Sequence, residues 1–153
     1  MSTIEIWLEA AHHAAFRIGG WAFVRKDGEA SGQAGGATRI GPEAAALNAV
    51  IAACKGLPAG AVVTIRTATP QIRALAPHLA GTAEAPPESE LPLWAQLQTA
   101  TTGRTVKIVA TTVEPKTPSA FAKAWADLAF DKAKAAGAFN AAIPKSNLAK
   151  AFG

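Results

Sequence analysis

Residues 38–69 read TRIGPEAAALNAVIAACKGLPAGAVVTIRTAT, and this stretch decides the fold. Pro42 predicts a helix start, because proline at the first helical position gives up no hydrogen bond, and Gly56 predicts the end of the same helix. Residues 61–65 form a short apolar run rich in β-branched side chains, which is typical of a strand covered on both faces. A helix that leads into such a strand indicates a sheet with helices packed against it. The helix carries an apolar stripe at helical spacing, formed by Leu47, Val50, Ile51 and Cys54.

Three strands are predicted before this stretch, as an antiparallel meander. Apolar residues alternate with other residues over positions 4–9, which is the period of a strand. The segment 10–18 is expected to be a loop. Residues 21–25 (WAFVR) predict the second strand, and Asp27-Gly28 predicts a hairpin turn, because this pair tolerates a positive φ. Residues 30–38 predict the third strand, which a glycine pair weakens and which is therefore expected at an edge of the sheet.

The second half of the chain alternates helical patterns with one further strand. An acidic, proline-rich loop at residues 81–90 separates the first two helical segments. Phe121, Trp125 and Leu128 are expected to share the buried face of the last helix. The predicted elements are helix 69–79, helix 91–100, strand 106–110 and helix 119–137.

The predicted domain organisation is one domain followed by a tail. A chain of 153 residues is large enough to bury a core of its own. No change of composition marks an internal boundary, so residues 1–137 are expected to form one domain. The tail, residues 138–153, is expected either to add a short helix capped by Ser146 or to be loose.

Composition excludes several classes of protein. Apolar residues make up 50% of the chain, which is too high a fraction for general disorder. The single cysteine, Cys54, excludes an internal disulfide and any metal site with several cysteines, and its place in the apolar stripe predicts a small core residue. The first residues do not resemble a signal peptide, and no apolar run has membrane-spanning length. We therefore expect a cytoplasmic protein with no membrane partner, and the net charge of +4 permits contact with nucleic acid.

The predicted order β-β-β-α-β-α-α-β-α resembles the topology of the ribonuclease H family, and short sequences support the resemblance. Gly19-Gly20-Trp21 resembles the glycine-glycine-tryptophan opening of the family's second strand, and residues 93–97 (LWAQL) resemble the helix before its fifth strand. The resemblance covers roughly residues 4–137. It implies an α/β fold with a five-stranded mixed sheet and helices on both faces. It also implies the family's chemistry, in which carboxylates hold two divalent metals that hydrolyse the RNA of an RNA–DNA hybrid.

The resemblance implies that only some of the family's catalytic carboxylates have an acidic counterpart in this chain. The first catalytic aspartate falls on Glu9, which keeps the charge on a longer side chain. The glutamate of the first helix falls on Ala46, and the aspartate that ends the fourth strand falls on Ala68. The last aspartate falls on Ala126 or Asp127. Alanine offers no oxygen to a hard cation, so this set would hold metal weakly at best, through Glu9 and Asp127.

The first functional hypothesis is therefore a ribonuclease H-like protein that has lost hydrolytic activity. It would bind nucleic acid weakly, as an RNA–DNA hybrid or a single strand, or act through a protein partner, and it would need no cofactor. The loop at 81–90 supports the loss of hydrolytic activity. It lies near the position of the basic helix and loop with which some family members bind a heteroduplex, but it carries Glu84, Glu88 and Glu90 and no lysine or arginine. Acidic side chains there would repel a phosphate backbone.

The alternative hypothesis is a metal-dependent nuclease with relocated carboxylates. Glu43 lies three residues before Ala46, about one helical turn toward the N-terminus. Glu9, Glu43 and Asp127 would then converge as a displaced catalytic cluster that binds Mg²⁺ or Mn²⁺. The structural reading of the same residues is a first-turn glutamate favoured by the helix dipole and a solvated aspartate.

Aromatic and basic residues are interleaved near Glu9 and again late in the chain. Such a pattern can stack on bases and contact phosphates, although the same aromatic residues can equally form a packed apolar face. The candidate contacts to nucleic acid are Trp7, His12, His13, Arg17, Lys116 and Lys123.

A third hypothesis is self-association as a structural protein. The last predicted helix and the tail are rich in alanine and apolar residues, so they could form the contact surface of a homodimer.

Overall fold

The computed structural model describes residues 3–81 and 90–152. These residues form one mixed sheet with helices on both faces, as the sequence predicted. The strands are β1 Thr3–His13, β2 Ile18–Lys26, β3 Ala30–Thr38, β4 Val62–Thr67, β5 Thr105–Ala110 and β6 Phe139–Ala142. The helices are α1 Pro42–Cys54, α2 Pro70–Arg73, α3 Ala76–Leu79, α4 Leu91–Thr101, α5 Pro118–Ala136 and α6 Lys145–Leu148.

The sheet has the strand order β5-β4-β1-β2-β3-β6. The first three strands form the predicted antiparallel meander, and β4 and β5 add to β1 in parallel. The parallel register places Trp7 of β1 beside Arg66 of β4, so the next positions on the same side, Glu9 and Ala68, meet where β4 ends. This junction in the middle of the sheet positions the candidate site.

The two faces of β1 point into different environments. The even-numbered side chains Ile4, Ile6 and Leu8 are fully buried in the larger core, which includes α1, β4 and the buried side of α4. Glu9 pairs with Ala22, whose side chain belongs to the second core, under α5. Strand alternation therefore turns Glu9 toward the α5 side of the sheet.

Helix α5 packs unusually close to the sheet, and its buried face differs from the predicted one. Leu128, expected in that face with Phe121 and Trp125, is 58% exposed. A Cβ added at Gly20 would lie 2.3 Å from the backbone nitrogen of Phe130, so only glycine fits beneath the helix. Large side chains cannot enter such a narrow gap, and the helix instead buries small residues: Ser119, Ala122, Ala126, Ala129 and Ala133.

The glycine pair of β3 is explained by close packing rather than by an edge position, with Gly36 against α5 and Gly35 against the Trp21 ring. A Cβ at Gly36 would lie 2.7 Å from the Cβ of Ala133, and a Cβ at Gly35 would lie 2.7 Å from the indole nitrogen of Trp21. The expectation that β3 is an edge strand is wrong, because β6 pairs with it.

The C-terminal segment corrects the predicted strand count. Residues 139–142 form β6, an antiparallel sixth strand, where the sequence predicted five strands and a tail. The short helix α6 follows, but Ser146 does not cap it: Pro144 holds the N-cap position, without a side-chain hydrogen bond. Ile143 and Leu148 are each 3% exposed in the second core. Alternation in a four-residue strand is too short to be recognised without its partner.

Two predicted boundaries also differ. The segment 10–18 is mostly strand, because β1 and β2 continue their pairing to His13 and Ile18 and leave only a four-residue turn. The single helix predicted over residues 69–79 is divided into α2 and α3. Of the acidic loop 81–90, residues 82–89 lie outside the described residues. Every helix within residues 3–81 and 90–152 is too short or too polar to span a bilayer.

Candidate functional site

Glu9 is the central side chain of the candidate site, and it is 1% exposed. Its carboxylate lies against Thr67, the last residue of β4, and against the two residues that follow it. Oε2 accepts a hydrogen bond from the backbone nitrogen of Ala68 at 2.9 Å, and Oε1 accepts one from the hydroxyl of Thr69 at 2.7 Å. A longer bond of 3.4 Å comes from the hydroxyl of Thr67. Thr69 also accepts a bond from the backbone nitrogen of Ala10 at 3.1 Å, so the network ties β1 to the end of β4.

Burial governs the protonation of this carboxyl. Desolvation raises the pKa of Glu9 above its ordinary value, because removal from water disfavours the charged form. The hydrogen bonds from Ala68, Thr69 and Thr67 lower the pKa, as does the nearby Lys123 ammonium, but they do not offset the desolvation. Glu9 therefore carries a proton at a higher pH than a solvated glutamate.

An open cleft of about 300 Å³ lies over Glu9. Lys123 reaches it from α5 and also pairs with Asp127 one turn further along the helix. His12 reaches it from β1, and one of its ring nitrogens lies 2.9 Å from the carbonyl oxygen of Ile40. The other described lining residues are Ala10, Ala68, Thr69, Pro70, Gln71 and Val113. Glu9 is the one carboxylate among these described lining residues.

The predicted relocated cluster is not assembled. Among residues 3–81 and 90–152, no three His, Cys, Asp or Glu side chains come close enough together to hold a metal ion. Glu43 is half-buried in the first turn of α1. Ala126 faces the sheet and is fully buried, whereas Asp127, rotated by about 100° along the helix, is 55% exposed and paired with Lys123.

The residues present do not fit a two-metal site. At the other carried-over positions, Ala46 is buried and Ala68 contributes only its backbone nitrogen, as a donor to Glu9. A divalent cation needs several anionic oxygens, and here a buried carboxyl is already hydrogen-bonded and faces an ammonium.

The candidate contacts to nucleic acid do not all line the Glu9 cleft. Only His12 and Lys123 line the cleft. The ring of Trp7 meets that of Phe152 edge-on at 5.4 Å. His13 packs against Phe16 and Phe130, with ring centroids 4.8 and 6.2 Å apart. Arg17 and Lys116 are exposed in turns at positive φ.

Thr67 and Thr69 are the functional residues that sequence reasoning missed. They flank Ala68, the position onto which a catalytic aspartate falls, so the resemblance drew attention to the alanine between them. The available signal was a pair of hydroxyls on either side of Ala68, at the end of the predicted fourth strand. Hydroxyls so placed can donate to a carboxylate on the neighbouring strand.

Comparison with known proteins identifies the fold. No family model and no curated protein matches the chain. Among solved structures, the N-terminal RNase H domain of a Mycobacterium tuberculosis protein is 17% identical with a TM-score of 0.64, over 88% of this chain and 98% of that chain. LC9-RNase H1, described as a type 1 RNase H with the type 2 active-site motif, is 13% identical with a TM-score of 0.62, over 99% of this chain and 85% of that chain.

A third structure, LC11-RNase H1 in complex with an RNA/DNA hybrid, is 18% identical with a TM-score of 0.59, over 86% of this chain and 99% of that chain. These similarities span nearly the whole chain, and they agree with the strand order and the helices on both faces. Identity this low establishes architecture and not activity. The chain therefore has a ribonuclease H-like fold.

Proposed function

We propose that this chain is a nucleic-acid-binding module of ribonuclease H-like fold that does not hydrolyse its ligand. The observation that carries the proposal is the state of Glu9. It is the one carboxylate among the described residues of the cleft, it is hydrogen-bonded to the end of β4, and it faces Lys123.

The chemistry of a two-metal nuclease explains why this state matters. Two cations must flank the scissile phosphate, one to activate water and one to stabilise the leaving oxygen. Among its described lining residues, the cleft offers one buried carboxyl where such a site needs several carboxylates. The Lys123 ammonium adds a positive charge that repels divalent cations and attracts a phosphate group.

The ligand class follows from charge and from the fold. The net charge is +4. Lys123 and His12 line the cleft together with Glu9, and burial raises the pKa of the Glu9 carboxyl. The similar structure LC11-RNase H1 is described with an RNA/DNA hybrid. We take that hybrid as the first ligand to test, with a single strand as the second.

Binding is measured by fluorescence anisotropy with a labelled RNA–DNA hybrid, a DNA duplex and a single strand over a salt series. We expect Kd to rise with salt, because each phosphate contact releases counterions. Lys123→Gln should weaken binding by about tenfold and lower the salt slope by about one. Lys107→Gln on β5, an exposed lysine outside the cleft lining, is the matched control and should bind like the parent.

Hydrolysis of the same hybrid is measured with Mg²⁺ and with Mn²⁺. We expect no turnover above a protein-free control. Turnover that Glu9→Gln and Asp127→Asn both abolish would overturn the proposal in favour of the nuclease with relocated carboxylates. Equal binding of nucleic acid by the parent and by Lys123→Gln would show that the cleft is not part of the binding interface.

A further inference from the structure

A second cavity, of about 440 Å³, lies away from Glu9, and none of its described lining residues lines the Glu9 cleft. Its walls are the β2–β3 hairpin, the C-terminal end of α1, and the β6–α6 segment. The lining includes three cations and three neutral polar side chains, and none of the described lining residues is acidic. These residues are Arg25, Lys55, Lys145, Ser31, Gln33 and Asn140.

Arg25 gives this cavity a largely buried guanidinium. Its side chain is 16% exposed, and Nη2 lies 3.3 Å from the carboxylate of Asp27, outside the cavity lining. Its Nε is buried and has no hydrogen-bond partner among the described residues. Buried donors in folded proteins nearly always have a partner, so this guanidinium keeps a donor that the described residues leave unused.

The surrounding groups indicate which acceptor. A guanidinium and two ammonium groups on three different elements can neutralise a dianion, and guanidinium nitrogens pair well with phosphoryl oxygens. The amides of Gln33 and Asn140 and the hydroxyl of Ser31 add donors and acceptors for the remainder of a ligand. The volume is that of a site for a small molecule rather than for a single ion.

We propose that this cavity binds a phosphate monoester. The same group occurs on a free mononucleotide and on the 5′ end of a nucleic acid strand. The proposal does not depend on the function of the Glu9 cleft, because the two sites share no described lining residue.

Calorimetric titration tests it with five probes: inorganic phosphate, adenosine monophosphate, adenosine, and a short oligonucleotide with and without a 5′ phosphate. We expect the phosphorylated member of each pair to bind more than tenfold more tightly than the other. If the 5′-phosphorylated strand binds more tightly than the mononucleotide, the strand end is the source. If the mononucleotide binds at least as tightly, the free nucleotide is the source.

Three variants locate the binding. Arg25→Gln should raise the Kd for adenosine monophosphate by about tenfold or more, and Lys55→Gln and Lys145→Gln by several-fold each. Lys55 and Lys145 are exposed, so their variants decide the question even if Arg25→Gln does not fold. Lys107→Gln, on the opposite edge of the sheet, and Lys123→Gln should leave this Kd unchanged.

Three outcomes would overturn the proposal. They are equal affinity for adenosine and adenosine monophosphate, wild-type affinity in both lysine variants, and no binding of any phosphorylated probe at millimolar concentration. Lys123→Gln changes the Glu9 cleft and not this cavity. Failure of the phosphate site would therefore appear in the calorimetric titrations, and failure of the proposed function would appear in the anisotropy and hydrolysis measurements.

Discussion

Glu9 shows at the scale of a single residue how a buried carboxyl can hold two strands of a fold together. Its carboxyl is buried, and its oxygens accept hydrogen bonds from Ala68 and Thr69. These bonds join strands whose residues lie about 60 positions apart in the chain. The same burial raises its pKa, so ionisation of Glu9 and folding are linked.

The first prediction concerns Glu9→Gln. The unfolded chain loses the Glu9 proton near its ordinary pKa of 4.5, whereas the folded chain keeps it to higher pH. The favourable contribution of the neutral carboxyl is therefore complete below pH 4.5 and is lost as pH rises through the folded pKa. Glutamine is neutral at every pH, so we expect the variant to gain stability relative to the parent between pH 4 and pH 8, measured by urea unfolding.

The matched control is Glu114→Gln, which removes the same charge from an exposed loop residue. Its stability difference from the parent should change little over this pH range. A constant difference between Glu9→Gln and the parent from pH 4 to pH 8 would contradict the linkage.

At the scale of the element, α5 reverses the usual relation between side-chain size and burial. Its alanines are buried while Leu128 is 58% exposed. The cause is the short distance to β2 and β3, where Gly20 and Gly36 leave no room for a Cβ. Backbone-to-backbone contact then replaces the interlocking of large side chains.

The second prediction compares two substitutions in α5. Ala126→Leu inserts three carbon atoms into a closed gap and should lower the free energy of unfolding by about 1–3 kcal/mol or more. Leu128→Ala deletes three carbon atoms from a solvent-exposed side chain and should change the free energy of unfolding by less than about 0.5 kcal/mol. Urea unfolding followed by circular dichroism measures both. A larger loss in Leu128→Ala than in Ala126→Leu would restore the face predicted from the sequence.

At the scale of the whole molecule, the C-terminal segment completes both the sheet and the second core. β6 covers the edge of β3, and Ile143, Leu148 and Ala151 are buried. An uncovered strand edge presents unpaired backbone groups that pair with other chains. Residues 139–152 therefore belong to the sheet and to the second core.

The third prediction is that truncation after Gly137 destabilises the protein. Two large buried side chains contribute about 3–6 kcal/mol of burial, a large share of a typical stability of about 5–15 kcal/mol. We expect a lower urea midpoint and aggregation of the truncated chain, measured by circular dichroism and light scattering. Ser146→Ala should change stability by less than about 0.5 kcal/mol, since the side chain caps no helix.

The same measurement tests self-association. If the full chain is a dimer and the truncated chain is an equally stable monomer, the C-terminal segment is a dimer contact rather than part of the core. Loss of stability in the truncated chain, from a full chain that is monomeric, is the result that we expect.

The sequence by itself determined most of the main core and the order of the elements as far as α5, with α2 and α3 predicted as one helix. Pro42 marks the start of α1, alternation over residues 4–8 marks the buried side of β1, and Val63 and Ile65 are buried in β4 as their apolar run predicted. These signals are local, because a helix or strand repeats its pattern within a few residues.

Tertiary structure alone decided the partner of β3, the buried face of α5 and the environment of Glu9. Each depends on the distance between segments far apart in the chain: β6 lies over a hundred residues after β3, and the glycines that admit α5 lie on two different strands. The groups that the strand register places beside Glu9 decide whether its carboxyl binds a cation or accepts hydrogen bonds from the end of β4. The hydrophobic periodicity of the sequence does not specify that register.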